Sequence, residues 1–138
     1  MVDSSVLIDL ERAGHPPEAL TGVYPDSEFA IAAITVSELL FGVHRANSQE
    51  RRQRRQAFVQ RVVQALQLIP FGLTAAHQHS IIWFRLQSAG QMIKAHDLLI
   101  AAAALDQRAT VLTRDLRDFP KVPDLEVEVF DLGLLSDQ

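Results

Sequence analysis

Apolar positions along this chain fall into two kinds of run. Phe29 to Ile34, Leu68 to Phe71, Ala109 to Thr113 and Val127 to Phe130 are short and mostly unbroken. Such runs predict strands buried on both faces, as in a parallel sheet. Pro70 puts the second run at a sheet edge or a strand end. No Asn-Gly or Asp-Gly pair joins any two of them, so tight hairpins are not indicated. Between the strands apolar residues recur at helical spacing. Val36, Leu39, Leu40 and Val43 form one stripe, and Val59, Val62, Val63 and Leu66 a second. Ala75, His79, Ile82, Leu86 and Ala89 form a third that stops at Gly90, and a fourth helix runs from Asp97 through Ala101 to Ala104. Strands alternating with helices require crossover connections, which predicts a layered α/β domain with helices covering a central sheet.

Length and composition change this picture little. The chain has 138 residues, without internal repeats, and is read as one domain over 1–138. His15-Pro16-Pro17 and Tyr24-Pro25-Asp26 read as loop punctuation inside it. With no cysteine, disulfides, zinc–thiolate sites and cysteine nucleophiles are excluded. No basic segment precedes an apolar stretch at the N-terminus, and the longest uncharged apolar run, Leu98 to Leu105, is too short to cross a bilayer. A cytoplasmic location is therefore expected. The net charge of −4 is not that of a typical nucleic-acid binder. Positive charge is nevertheless concentrated at Arg45, Arg51, Arg52, Arg54, Arg55 and Arg61, so nucleic acid stays open as a partner. The run from Arg51 to Arg55 has a plain reading as a solvated helix face.

The candidate chemistry lies in acids. Each has a structural explanation: Asp3 and Asp97 can open helices, Glu38 stands at capping-box spacing from Thr35, and Asp115 and Asp118 suit a polar turn. Their placement as a set says more. Asp3, Glu38 and Asp115 follow strands closely and Asp97 starts a helix; in an open parallel sheet those ends share the edge where ligands bind. Converging carboxylates repel one another, and a hard divalent cation with oxygen ligands relieves the repulsion. Such a site suits phosphoryl chemistry.

Four segments carry a resemblance. Val2-Asp3-Ser4-Ser5-Val6-Leu7-Ile8, Thr35-Val36-Ser37-Glu38-Leu39-Leu40-Phe41-Gly42, His96-Asp97-Leu98-Leu99-Ile100-Ala101-Ala102 and Leu112-Thr113-Arg114-Asp115-Leu116-Arg117-Asp118-Phe119 resemble, in order, the four motifs of PIN-domain ribonucleases, above all the VapC-type toxins of bacterial type II toxin–antitoxin pairs. The resemblance implies a three-layer α/β/α sandwich with a central, mainly parallel sheet, and a magnesium-dependent endoribonuclease in which manganese can substitute. It implies Asp3, Glu38, Asp97 and Asp115 as the catalytic acids, with Asp3 and Asp97 as metal ligands. It also implies a VapB-type antitoxin as partner, RNA as substrate and a homodimer, for which the stripes at 36–43 and 59–66 offer apolar surface. Relatives often have asparagine at the position of Asp115, so either Asp115 or Asp118 supplies the fourth acid. They also have a fuller first strand, so strand one is short here or the true start lies upstream. Ser5 and Thr113 are candidates to hold the acids or a phosphate, or simply to pack a turn. Arg114 is a candidate to hold the RNA backbone, or a solvated surface residue.

Other readings fit less well. His96-Asp97 would suit a histidine–aspartate phosphohydrolase, but that class needs further histidine and aspartate ligands on a helical scaffold, and the strand signals disagree. His77 and His79 point to different helix faces, and His79 falls on the apolar stripe, as a core residue would. No Asp-x-Asp follows the first strand and no glycine-rich phosphate loop is present. The alternative from another class is a catalytically silent PIN-like module that binds protein or RNA; the full set of acids favours the enzyme.

Overall fold

The structure is a computed structural model, and it describes residues 1–136. The elements in chain order are α1 (Ser4–Arg12), α2 (Ala19–Val23), β1 (Ala30–Ala32), α3 (Ala33–His44), α4 (Gln49–Ala65), β2 (Gln67–Ile69), α5 (Leu73–Ser88), α6 (Ala95–Gln107), β3 (Val111–Thr113), a 3₁₀ turn (Phe119–Lys121), β4 (Val127–Val129) and α7 (Gly133–Ser136). The strands are three residues each. β1 pairs with β2 and β3 with β4, both in parallel.

The first three residues join these two ladders. The Val2 N–H donates to the Ala30 carbonyl at 2.8 Å, the Asp3 N–H to Leu112 at 2.9 Å, and the Leu112 N–H to Met1 at 2.8 Å. The resulting order is β2, β1, the N-terminal segment, β3, β4, all parallel. The N-terminal segment pairs with β3 through one bridge, between Val2 and Leu112. α1 begins at Ser4 and ends the pairing, which leaves Asp3 at the sheet edge.

Side chains alternate across the pleat. Met1, Ala32 and Val111 enter one core with α5 and α6; Val2, Ile31 and Leu112 enter the other with α1 to α4. This is the expected three-layer α/β/α arrangement. In α6 the buried run Ala101 to Ala104 shares the core of Ala32 and Val111, and α6 packs mainly on α5. Burial on both faces holds for β1 and β3, in the middle. It fails for the edge strands, where Leu68 and Val129 are exposed. Pro70 ends β2, as its missing N–H requires.

Several local expectations are corrected. Ala33 and Ile34 belong to α3, not to a strand. Thr35 lies inside that helix, with Ala32 at the N-cap and no side-chain cap bond, so no capping box forms with Glu38. The stripes of α3 and α4 are largely buried against α1 and the sheet, with Val63 left exposed. His79 is half-buried, 5.8 Å from the Phe71 ring and 5.7 Å from the Trp83 ring, rather than in the core. The arginine run is more than a solvated face: Arg52 and Arg55 donate to the Ala46 and Gly42 carbonyls at 3.2 and 2.7 Å, tying α4 to the end of α3. No helix among the described residues is long and apolar enough to cross a membrane.

Candidate active site: a carboxylate cleft

Asp3, Glu38, Asp97 and Asp115 line one open cleft of ≈ 480 Å³, together with Ser5, Lys94 and His96. Four separate stretches of sequence deliver them: the N-terminal bridge into α1, the second turn of α3, the first turn of α6, and the turn after β3. The parallel sheet makes this possible, because its strands all end at the same edge.

Asp3 is buried, which a carboxylate tolerates only with partners. It occupies the N-cap of α1 yet makes no capping bond. Its Oδ2 instead accepts from the Ser5 hydroxyl at 2.8 Å and the Thr113 hydroxyl at 2.9 Å. Those hydroxyls in turn accept from the backbone: Ser5 from the Arg114 N–H at 3.1 Å, Thr113 from the Asp115 N–H at 3.1 Å. Ser5 and Thr113 thus bind Asp3 to the β3 turn. Arg114 is committed elsewhere, to an ion pair with Asp9 of α1.

Burial, and then the charge of Asp3, pushes the Glu38 carboxyl up; His96, at 3.6 Å, works against this. The Glu38 Oε1 is buried and has no hydrogen-bond partner. Asp97 is pushed up to about 7, by burial first, then by a hydrogen bond shared with Asp118 and by the charge of Asp3.

The fourth acids differ. Asp115 is held down to about 2, chiefly by the Arg117 side chain, whose Nε and Nη2 donate at 2.6 to 3.0 Å, and by the Arg117 N–H at 2.9 Å. Burial raises Asp118, but the hydrogen bond with Asp97 and the Lys94 N–H, at 3.1 Å, outweigh it and hold it low. Asp115 faces the cleft, while Asp118 backs Asp97.

Among the described residues no three His, Asp or Glu side chains are already gathered closely enough to hold a cation. The four acids still suit one: oxygen ligands, with an orphaned buried oxygen on Glu38 and two carboxyls raised by burial first and further by the charge of Asp3. Lys94 and Arg117 escape a reading that follows acids alone. Their signal was the basic residue two or three positions from an acid, Lys94 before Asp97 and Arg117 after Asp115.

Comparison with known proteins identifies the family. The PIN domain family model matches residues 1–125. The chain is 33% identical to ribonuclease VapC of Rickettsia bellii over 92% of each chain. It is 28% identical to the tRNA(fMet)-specific endonuclease VapC of Salmonella typhimurium, over 74% of this chain and 75% of that one. Its fold matches VapBC2 from Rickettsia felis bound to a promoter DNA fragment, with a TM-score of 0.83, 23% identity and coverage of 95% and 98%. VapBC-5 from Mycobacterium tuberculosis matches with a TM-score of 0.72 and 26% identity, over 95% and 96%. The chain belongs to the PIN-domain family, among its VapC-type members.

Proposed function

We propose that this chain is a magnesium-dependent endoribonuclease, the toxin of a toxin–antitoxin pair, acting in the cytoplasm through Asp3, Glu38, Asp97 and Asp115. The observation that carries the reading is the meeting of these four acids in one cleft around a buried Asp3 that caps nothing. RNA as the substrate class follows the relatives named as ribonucleases. Asp3 and Asp97 would hold magnesium or manganese, with Glu38 and Asp115 completing the site. Such an ion, when bound, lowers the pKa of its water and offsets charge on a phosphodiester. Ser5 and Thr113 fix Asp3 by donating to Oδ2 alone, which leaves Oδ1 to the cleft. Asp97, raised to about 7, carries a proton for part of the time near neutral pH and must release it to serve as a ligand. Asp118 takes part in that proton sharing, and Asp115 is kept anionic by Arg117.

Two surfaces support a choice of partner faces. The groove between α1, α3 and α4, with Ile8, Leu39, Phe58 and Val59 below a rim of Arg12, Arg45, Arg51 and Arg55, suits an acidic, partly apolar segment of a VapB-type antitoxin. For a homodimer the surface is α5. Leu73 and Phe84 are 77% and 73% exposed, with Ile81 and Trp83 beside them. No charged residue occurs from Phe71 to Phe84, so two copies would meet there without repulsion. Phe84→Glu should yield a monomer by light scattering; an unchanged mass would remove α5 as the dimer face.

The test of the activity is cleavage of a mixed-sequence RNA by the purified chain with magnesium or manganese. Cleavage should stop in excess EDTA and in Asp3→Asn. Cleavage that persists in EDTA would overturn the proposal.

A further inference from the structure

Apart from its acids, the cleft lining carries one residue of permanent charge, Lys94. Only two of the chain's thirteen basic residues are lysines, Lys94 and Lys121. The Lys94 Nζ lies 4.0 Å from Asp97 Oδ2 and 4.0 Å from Asp115 Oδ2. A charge-assisted hydrogen bond closes to about 2.7–2.9 Å. The ammonium therefore sits between the two carboxylates and is locked by neither. Its backbone is fixed, since the Lys94 N–H donates to Asp118 at the N-cap of α6. The side chain above it is 64% exposed and has a flexible four-carbon stem.

Two physical points set Lys94 apart from an ordinary surface ion pair. A helix N-terminus disfavours a cation, so this charge stands against the dipole of α6. The nearby arginines are also committed, Arg114 to Asp9 and Arg117 to Asp115. A cleft lined with carboxylates repels a phosphodiester, and a cation able to swing from acid to phosphate removes that obstacle. An arginine fork would instead be held in place by two carboxylates.

We infer that Lys94, poised between Asp97 and Asp115, is the residue of this cleft that binds the phosphate of the RNA strand. The inference rests on the ribonuclease reading and names the group that meets the substrate. The test uses a fluorescent single-stranded RNA and the Asp3→Asn chain in EDTA, so that binding is measured without cleavage. Adding Lys94→Met should weaken binding about three- to tenfold at low salt. It should also make the plot of log affinity against log salt shallower by about 0.7, one single-strand phosphate contact. Lys94→Arg, whose fork the two carboxylates would hold, should restore only part of the slope. Arg61→Met, which removes a distant cation paired with Glu18, should change neither quantity. In the active chain Lys94→Met should raise KM more than it lowers kcat, with an unchanged melting temperature. An unchanged salt slope in Lys94→Met, an equal loss in Arg61→Met, or no RNA binding by the Asp3→Asn chain overturns the inference. Lys94-dependent binding by an active-site-intact chain that cuts no RNA would keep it and remove the ribonuclease reading. Cleavage that ignores Lys94 would do the reverse.

Discussion

Two pairs of acids stand around the cleft, three of the four lining it and Asp118 behind Asp97, and their surroundings pull them in opposite directions. Glu38 and Asp97 sit on helices packed against the sheet, and both are pushed up, by burial first and by the charge of Asp3. Asp115 and Asp118 sit in the exposed turn after β3, and both are held low. For Asp115 the cause is Arg117; for Asp118 it is the proton shared with Asp97 and the Lys94 N–H, acting against burial. The same functional group is thus crowded and under-compensated on one wall, and ionised and compensated on the other. A cation would gain most from the first wall, because His96 and Lys94 only partly offset the burial and the charge of Asp3 there.

The strongest way to break this comparison is at Asp3, whose charge reaches both raised carboxyls. Asp3→Asn is expected to lower RNA cleavage by about a hundredfold or more, as loss of a metal ligand should exceed the effect of losing a supporting group. Circular dichroism should show the fold retained. Cleavage within a few-fold of the parent chain would mean that the crowded wall is not the site.

The fourth acid comes next. Asp115 faces the cleft and Asp118 does not line it. Asp115→Asn should reduce cleavage about tenfold, and Asp118→Asn less, at a fixed manganese concentration. The opposite ranking in a side-by-side rate measurement would transfer the role to Asp118.

Stability against pH reads the two walls separately, without metal. Asp97 has a folded value of about 7 against an ordinary 3.8, so between these values the native state holds a proton that the unfolded chain has lost. Stability from this group therefore falls as pH rises from about 4 through about 7. Asp97→Asn should flatten that decline and raise stability at pH 8 by about 1–3 kcal/mol in urea unfolding. Asp115 has the other sign: its contribution is present above 3.8 and is lost as pH falls through about 2. Its side chain is solvated, so Asp115→Asn should cost no more than about 0.5 kcal/mol at pH 7. A steeper decline toward pH 8 in Asp97→Asn would contradict the crowding.

The smallest effect is expected at Arg117. Arg117→Met frees Asp115, whose carboxyl should return toward the ordinary range. Manganese affinity by calorimetry should then rise by about two- to fivefold, the scale of an exposed ion pair. Unchanged affinity would separate Asp115 from the metal altogether.

Helices at 33–44, 73–88 and 95–107 and strands near 30, 68, 111 and 127 were legible in the pattern of apolar residues, because periodicity reports local backbone geometry. The meeting of distant acids was legible too, because parallel strands with crossover helices leave their ends on one edge. Which apolar stripe would be covered was not. Leu39, Val43, Val59 and Val62 look no more buried in sequence than Leu73, Ile81 and Phe84, yet the first set is core and the second surface. A stripe shows that a helix has an apolar side, and only the packed neighbours decide whether that side is filled. The same holds for the acids. Thr35 and Glu38 have capping-box spacing, but α3 starts at Ala33 and leaves them inside the helix. Asp115 and Asp118 are alike in sequence, and the turn after β3 sends one to Arg117 and the other to Asp97. Charge state depends on burial and on partners up to a hundred residues away, and those are properties of the assembled fold.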